Sequence, residues 1–203
     1  MAKNPKTAQK IVDAAVRMFC EAGYSQASMD LIAKSADVSK ATLYSHFANK
    51  AALFAAAVLN VSERFVVEID PERLSQMPLE DALRYIGRYY LSFLLKPENL
   101  AAVRAVIAET IRQPEAGREF YEAGPLISLN AVARFLKQRM AQGELPHRDT
   151  ITGARHFVAL LRGDFHWRLL LGVPVDLADM DRHITEAVRQ FLQGYALTDT
   201  ACD

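Results

Sequence analysis

The 203-residue chain has few of the features that mark secreted or membrane proteins. Its only cysteines are Cys20 and Cys202, which do not form the dense pattern of a disulfide framework. It contains no run of about eighteen apolar residues, and the N-terminal MAKNPKTAQK segment lacks the apolar stretch of a secretory signal. We therefore expect a cytoplasmic protein with no membrane partner.

The sequence also lacks the motifs that build most enzyme active sites. It has no glycine-rich phosphate loop, no nucleophile elbow and no CxxC pair. His166 lies near Asp164, and His183 precedes Glu186 by three residues, but a hydrolytic zinc site needs a further ligand at a defined spacing. We predict that the chain is not an enzyme and that it has no catalytic residues, no metal site and no cofactor.

What the sequence does have is a continuous series of helical segments. About half of its residues are apolar (51%), enough for a sizeable core, and no segment alternates as a strand would. Prolines and glycines fall between the apolar-periodic segments, where they end or begin helices at little cost. The expected fold class is all-α. From residue 50 onward, helices are predicted over residues 50–69, 79–95, 98–112, 114–123, 126–142, 150–171 and 177–195.

Residues 28–54, SMDLIAKSADVSKATLYSHFANKAALF, have the pattern of a helix-turn-helix. Ser28 and Ser39 each precede a short apolar-periodic run, where a serine hydroxyl can cap the first turn of a helix. Two such helices bury too little core to fold alone, and this motif usually presents its second helix to the major groove of DNA. The predicted inward positions are Met29, Ile32 and Ala33 in the first helix, and Leu43 and Phe47 in the second.

A longer helix before this pair supplies the missing core. It is predicted to be capped by Thr7 and to end at Gly23, with a buried stripe of Ile11, Ala14, Ala15, Met18, Phe19 and Ala22. The three helices can bury one common set of side chains: Met18, Phe19, Ile32, Val38, Leu43 and Phe47. The prediction for residues 1–50 is therefore a three-helix helix-turn-helix DNA-binding domain.

The second helix of the pair has few core positions and an open side that is rich in hydrogen-bond donors. Such donors suit phosphates and base edges, although an ordinary solvated helix could carry the same residues. Residues 1–50 hold seven cationic and four acidic side chains, a net +3 in a chain of net charge zero. A basic end on an acidic body favours binding to phosphates. The donors on the open side are Ser39, Lys40, Thr42, Tyr44 and His46.

The segments IVDAAVRMFCEAGY and SMDLIAKSADVSKATLYSHFANKAALF closely resemble the tetracycline-repressor (TetR) family of bacterial regulators. The resemblance is nearly continuous over about the first quarter of the chain. Two positions depart from the family pattern: Asp37 replaces the glycine most often found in the turn, and Ala51 replaces a common glutamate. The resemblance implies that Ser28 and Tyr44 contact phosphates, that Lys40, Thr42 and His46 lie along the groove face, and that Lys50 holds the DNA backbone.

Later segments, VRAVIAETIRQPEAGREFYEAGP and LLRGDFHWRLLLG, resemble the C-terminal domain of the AefR-like subgroup of this family. This resemblance implies that residues 51–203 form a larger helical domain that encloses a hydrophobic or aromatic small-molecule effector. Aromatic residues at helical spacing also fit a plain core, and the charges of Arg104 and Asp164 could orient a ligand or form a buried pair. The candidate pocket residues are Phe65, Tyr85, Tyr89, Phe93, Arg104, Phe120, Phe157, Asp164 and Trp167.

The two helices predicted over 150–171 and 177–195 carry more apolar residues than one side of a helix needs. A helix-turn-helix protein normally works as a symmetric pair on a two-fold operator. We therefore predict a homodimer with a four-helix interface, as the family resemblance also implies; the alternative is that both helices are internal core. The candidate interface residues are Phe157, Leu161, Phe165, Ile184, Val188 and Phe191.

These features predict a DNA-binding transcriptional regulator with two partners besides its own second copy, a double-stranded DNA operator and a small-molecule effector. The expected form is a repressor that a hydrophobic or aromatic effector releases from a palindromic operator. A ligand that pushes the helix 50–69 would move the DNA-binding domain and change the spacing of the two recognition helices. The alternative is an architectural DNA-binding protein without effector control.

Overall fold

The computed structural model describes residues 4–196, and within this range all regular secondary structure is helical. The all-α prediction is therefore confirmed. Of the two cysteines, Cys20 is exposed on the first helix, and Cys202 lies outside the described residues. The helices are α1 (Pro5–Gln26), α2 (Met29–Ser35), α3 (Lys40–His46), α4 (Lys50–Glu68), α5 (Pro71–Leu74), α6 (Leu79–Leu94), α7 (Pro97–Glu109), α8 (Pro114–Ala123), α9 (Pro125–Ala141), α10 (Thr150–Arg162), α11 (Phe165–Leu170) and α12 (Met180–Ala196).

The helices form two compact units. The first unit comprises the described residues up to Arg64 together with Lys96–Ile127. The second comprises Phe65–Leu95 together with the described residues from Ser128 onward. The division of the chain by function between residues 50 and 51 stays a prediction.

The first helix begins earlier than its sequence pattern predicted. Asn4 is its cap, because its side-chain oxygen accepts from the amide of Lys6 (3.0 Å) and Pro5 occupies the first turn, so the cap predicted at Thr7 is wrong. Gly23 interrupts the helix with a φ of 76°, as predicted, and a short turn follows it to Gln26. Ala22, predicted to be buried, is exposed because it lies beside this interruption.

The predicted three-helix core is present in the first unit. Phe19, Ile32 and Leu43 are buried, and Met18, Val38 and Phe47 are partly buried against them. The buried stripe of α1 also includes Ile11, Val12, Ala14 and Ala15.

The first unit has an aromatic cluster that sequence analysis did not anticipate. The ring of Phe54 on α4 lies 5.0 Å from that of Phe19, 4.9 Å from that of Tyr24 and 6.0 Å from that of Phe120, between ring centroids. Val106 of α7 is buried in the same core. Helices α7 and α8 thus share one core with the helix-turn-helix.

In the second unit, α6, α10 and α12 pack around a common core. Gly87 of α6 allows the helices to approach closely, because a Cβ there would lie 2.9 Å from side-chain carbons of both Leu161 and Ile184. The side chains buried here include Leu83, Ile86, Phe157, Leu161, Ile184, Val188 and Phe191.

The segment predicted as one helix over 150–171 is two helices. Gly163 ends α10 with a φ of 47°, a left-handed backbone that favours glycine. A Cβ at Gly163 would lie 2.8 Å from the His183 ring, whose Nε2 is 2.9 Å from the carbonyl oxygen of Leu161. The break therefore makes room for a histidine that contacts one of the last carbonyls of α10.

Gly153 of α10 is a second place where a side chain would collide with α12. A Cβ there would lie 1.8 Å from the hydroxyl oxygen and 2.8 Å from Cζ of Tyr195, a buried ring. We expect Gly153→Ala to destabilise the protein by about 1–3 kcal/mol through overpacking, against a gain of about 1 kcal/mol in helix propensity. Tyr195→Phe removes the nearest atom and should reduce the penalty.

Urea unfolding of the two single variants and the double variant measures this coupling. Gly194→Ala is the matched control, because nothing lies within 4 Å of the Cβ it adds to α12, and it should be neutral or stabilising. Additive effects of Gly153→Ala and Tyr195→Phe would show that the hydroxyl is not the obstacle.

Candidate nucleic-acid interface and effector region

Two serine caps fix the ends of α2 and α3. The Ser28 hydroxyl accepts from the amide of Leu31 (3.2 Å), and the Ser39 hydroxyl accepts from the amide of Thr42 (3.0 Å). The Ser39 and Thr42 hydroxyl oxygens also lie 2.7 Å apart. Both predicted caps are confirmed, and these hydroxyls hold the backbone of the motif itself. Their contacts with DNA stay predictions.

The turn between α2 and α3 uses Asp37 where a glycine would be easiest. Asp37 has a φ of 49°, and its amide donates to the carbonyl of Lys34 (3.1 Å) while that of Val38 donates to the carbonyl of Ala33 (3.0 Å). This pair of bonds is the Schellman ending of a helix. The Asp37 carboxylate lies 3.2 Å from Nζ of Lys10, an ion pair that the sequence did not reveal.

Helix α3 is anchored by one fully buried side chain, Leu43, as predicted. Lys40 and Tyr44 are exposed on its open side, and Thr42 and His46 are partly exposed. The side of α3 that was predicted to face DNA is therefore accessible in the chain.

Lys40 is paired with a carboxylate of the preceding helix. Its Nζ lies 2.8 Å from Oδ1 and 3.0 Å from Oδ2 of Asp30, and both side chains are well exposed. The hydrogen bond to Asp30 raises the pKa of Lys40 above its usual value, so the ammonium stays charged. Asp30 lies in the first turn of α2, where sequence analysis gave it no role.

Lys50 turns toward the end of α1. Its Nζ lies 4.3 Å from the ring centroid of Tyr24 and donates to the carbonyl of Ser25 (3.4 Å). Partial burial lowers the pKa of Lys50, and the charge of Glu109 opposes that shift. Lys50 is partly exposed in this position, and its contact with the DNA backbone, which the family resemblance implies, stays a prediction.

Several candidate effector residues lie together in the second unit. Phe65 is buried, and its ring centroid lies 5.7 Å from that of Tyr89 and 5.8 Å from that of Tyr90. The Tyr90 hydroxyl accepts from Nε of Arg162 (2.7 Å). Phe65, Tyr89, Tyr90 and Arg162 are called the tyrosine cluster below; sequence analysis missed Tyr90 and Arg162. Tyr85 donates to Glu68 (2.9 Å), and Phe93 is partly buried.

Other candidate effector residues lie elsewhere. Arg104 is exposed because α7 packs through Ala102 and Val106, on its other side. The Asp164 side chain is 75% exposed beside Arg168, and Trp167 is 62% exposed, because the break at residue 163 turns them outward. The prediction that the charges of Arg104 and Asp164 lie toward the interior is wrong. Phe120 stacks on Phe54 in the first unit, and Phe157 is core.

The predicted dimer contacts are largely internal core. Five of the six side chains are at most 2% exposed in the single chain, because α10 and α12 pack on α6, so these five cannot present a surface to a partner. Phe165 is partly buried, with its ring 4.6 Å from that of His183. The homodimer stays a prediction. The five core residues are Phe157, Leu161, Ile184, Val188 and Phe191.

Two family models match the chain. The model described as "Bacterial regulatory proteins, tetR family" matches residues 11–57. The model described as "AefR-like transcriptional repressor, C-terminal domain" matches residues 81–197, which is more than half of the chain.

Within residues 4–196, no helix combines the length and the apolar character needed to cross a membrane.

Known proteins and solved structures agree with these models. The chain is 31% identical to the fatty acid metabolism regulator protein of Bacillus subtilis (strain 168) over 101 residues, which are 50% of this chain and 52% of that protein; the chain thus spans about half of that relative's length. A TetR-family transcriptional regulator from Mesorhizobium loti MAFF303099 is 28% identical, with a TM-score of 0.81 and coverage of 95% and 98% of the two chains. The flavonoid-responsive regulator FrrA is 33% identical, with a TM-score of 0.72 and coverage of 94% and 97%.

Proposed function

The chain belongs to the TetR family of bacterial transcriptional regulators, which are commonly repressors and not enzymes, and we propose that it is a homodimeric repressor of a palindromic operator under small-molecule control. The observation that carries the DNA contact is the open side of α3. This helix has seven residues and one fully buried side chain, while Lys40 and Tyr44 point away from the core. A helix with so few core contacts is suited to enter a major groove.

A second copy of the chain gives the proposed operator its symmetry. Two recognition helices must lie on the order of 34–36 Å apart to reach successive major grooves. Apolar side chains in and after α11 remain exposed in the single chain, and they offer a surface that a second copy could cover. They include Trp167, Leu171, Val173 and Leu177.

The proposed effector is an aromatic or hydrophobic small molecule that binds near the tyrosine cluster. FrrA is named for its response to flavonoids, which are aromatic, and the Bacillus subtilis relative for fatty acid metabolism. Aromatic rings with a few polar groups are typical of such sites, and Arg162 and Tyr90 supply hydrogen-bonding groups. Because α4 follows α3 directly along the chain, a ligand that favours another position of α4 by a few kcal/mol would release the operator.

Selection of binding sites from random duplex DNA tests the proposal, since a palindromic consensus is expected. Tyr44→Ala and Lys40→Ala should each weaken binding to the selected site about tenfold or more. Lys137→Ala, an exposed charge change on α9 in the second unit, is the matched control and should bind as the wild type does. If both α3 variants bind the selected site as tightly as the wild type does, the proposed groove contact is wrong.

Effector control is tested on the same complex. Naringenin, a flavonoid, and palmitate are the probes, and release of the selected site by one of them is expected. An architectural DNA-binding protein would show no consensus site and would keep its DNA with both compounds.

A further inference from the structure

The ion pair between Asp30 and Lys40 lies on the side of α3 that the proposed function assigns to DNA. Lys40 is the first residue of α3, and its ammonium touches both carboxylate oxygens of Asp30, at 2.8 and 3.0 Å. The two side chains are equally exposed, at 62% each. The pair therefore lies where a phosphate oxygen could reach it.

Asp30 offers Lys40 the same chemistry that DNA offers, an anionic oxygen at hydrogen-bond distance. A phosphate that binds this ammonium must displace the carboxylate or share the ammonium with it. While Asp30 stays in place, its negative charge also repels the approaching phosphate. Exposed ion pairs of this kind contribute little to folding, so the pair can open without unfolding the helix-turn-helix.

We propose that Asp30 is a specificity-determining residue that competes with DNA phosphates for Lys40 and so weakens binding to duplexes of any sequence. The proposal rests on the proposed function. Binding to DNA of arbitrary sequence depends almost wholly on contacts with phosphates. When Asp30 pairs with Lys40, one of these contacts is lost, and non-specific binding becomes weaker. On the operator, base contacts bring α3 deep enough into the groove for Lys40 to leave Asp30.

The test measures binding of the full chain to a scrambled 30-base-pair duplex over a range of salt concentrations. Asp30→Asn keeps the size of the side chain and removes its charge. It should bind the scrambled duplex about fivefold more tightly at low ionic strength. Its plot of log affinity against log salt should steepen by about 0.9, the value for one additional neutralised phosphate. The gain on the selected operator should be smaller.

Two controls separate this competition from a general charge effect. Glu63→Gln makes the same change in net charge at an exposed position of α4, thirteen residues beyond Lys50 and about 20 Å along the helix axis. It should leave the salt slope unchanged. In a Lys40→Ala background, Asp30→Asn should no longer steepen the slope, because the lysine it releases is absent.

Equal effects of Asp30→Asn and Glu63→Gln, or a steepening that persists without Lys40, would overturn the proposal. An equal gain on operator and scrambled duplex would also overturn the assignment of specificity. Circular dichroism verifies that the variant is folded, and Asp30→Ser provides a second replacement at this position. If the wild type and the variants all ignore duplex DNA at low ionic strength, the proposed function fails as well. Binding by the wild type without the expected change in Asp30→Asn would reject only the role of Asp30.

Discussion

Replacing Arg139 with methionine is expected to lower the free energy of unfolding by about 3 kcal/mol and Tm by about 10 °C. Arg139 lies on α9 and is 3% exposed, which is rare for a charged residue. Its guanidinium donates to Glu144 (2.6 Å) and to the carbonyls of Leu74 (2.6 Å) and Met77 (2.8 Å). One side chain thus fastens the end of α5, and the residues that follow it, to α9.

The size of this effect follows from the hydrogen-bond acceptors that lose their donor when Arg139 becomes methionine. Methionine fills much of the same volume, so the packing loss is small, but it donates no hydrogen bond. The carbonyl of Leu74 also accepts from the amide of Met77 (3.1 Å), which leaves the Met77 carbonyl as the group that depends most on Arg139. The bond to the Met77 carbonyl is part-buried and the bond to the Leu74 carbonyl is buried. Losing a buried bond of this kind costs about 1–3 kcal/mol, and bonds to a charged donor are stronger than average.

Urea unfolding followed by the fluorescence of Trp167, the single tryptophan, measures the change in the second unit. Arg134→Met is the matched control, since Arg134 is exposed on the same helix and should change stability by less than about 0.5 kcal/mol. If Arg139→Met and Arg134→Met lower the free energy of unfolding by similar amounts, Arg139 acts through net charge rather than through its three hydrogen bonds.

The sequence predicted the helix-turn-helix in detail because the signals there are local. A cap such as Ser28 acts on an amide three residues later, and the inward position of Leu43 follows from helical periodicity. The family resemblance marked Asp37 as the turn position that most often carries glycine, and its φ of 49° is the left-handed conformation that glycine adopts easily. Such features depend on residues within one or two helical turns, which a sequence displays directly.

Contacts between distant residues were not predictable in the same way. Arg139 reads as an ordinary surface arginine of an amphipathic helix, and the two carbonyls that it binds lie 62 and 65 residues away in the chain. Asp30 reads as a favourable charge in the first turn of a helix, and only the packing of α2 against α3 brings it to Lys40. Periodicity gives the face of a helix but not the element that this face meets.

The surplus of apolar residues in α10 and α12 is a second case in which the sequence predicted a buried face but not the element that covers it. Apolar positions around α10 and α12, among them Leu161 and Ile184, were predicted to contact a partner chain, whereas these two side chains pack against α6 of the same chain. The glycine at residue 87, which permits that approach, carries no sequence signal that distinguishes it from an ordinary helical glycine. A buried face can be predicted from its composition, but what buries it cannot.

Phe54→Ala should cost about 4 kcal/mol in the first unit. The ring of Phe54 is 5% exposed and contacts three other rings, two of them edge-on, so alanine would leave a cavity in an aromatic cluster that rigid neighbours cannot fill. The cluster joins α1, α4 and α8, and the loss should therefore appear in all three helices. Phe54→Leu keeps most of the volume and should cost less than about half as much.

Native-state hydrogen exchange locates the effect, because it reports the stability of each helix separately. Amides of α1, α4 and α8 should exchange faster in Phe54→Ala, while those of α10 and α12 in the second unit should keep their wild-type rates. The Tyr24 ring centroid lies 4.9 Å from that of Phe54 and 4.3 Å from Nζ of Lys50, so the same cavity should loosen the position of Lys50. Uniform acceleration in both units would show that the two unfold as one, and would place the role of Phe54 in global rather than local stability.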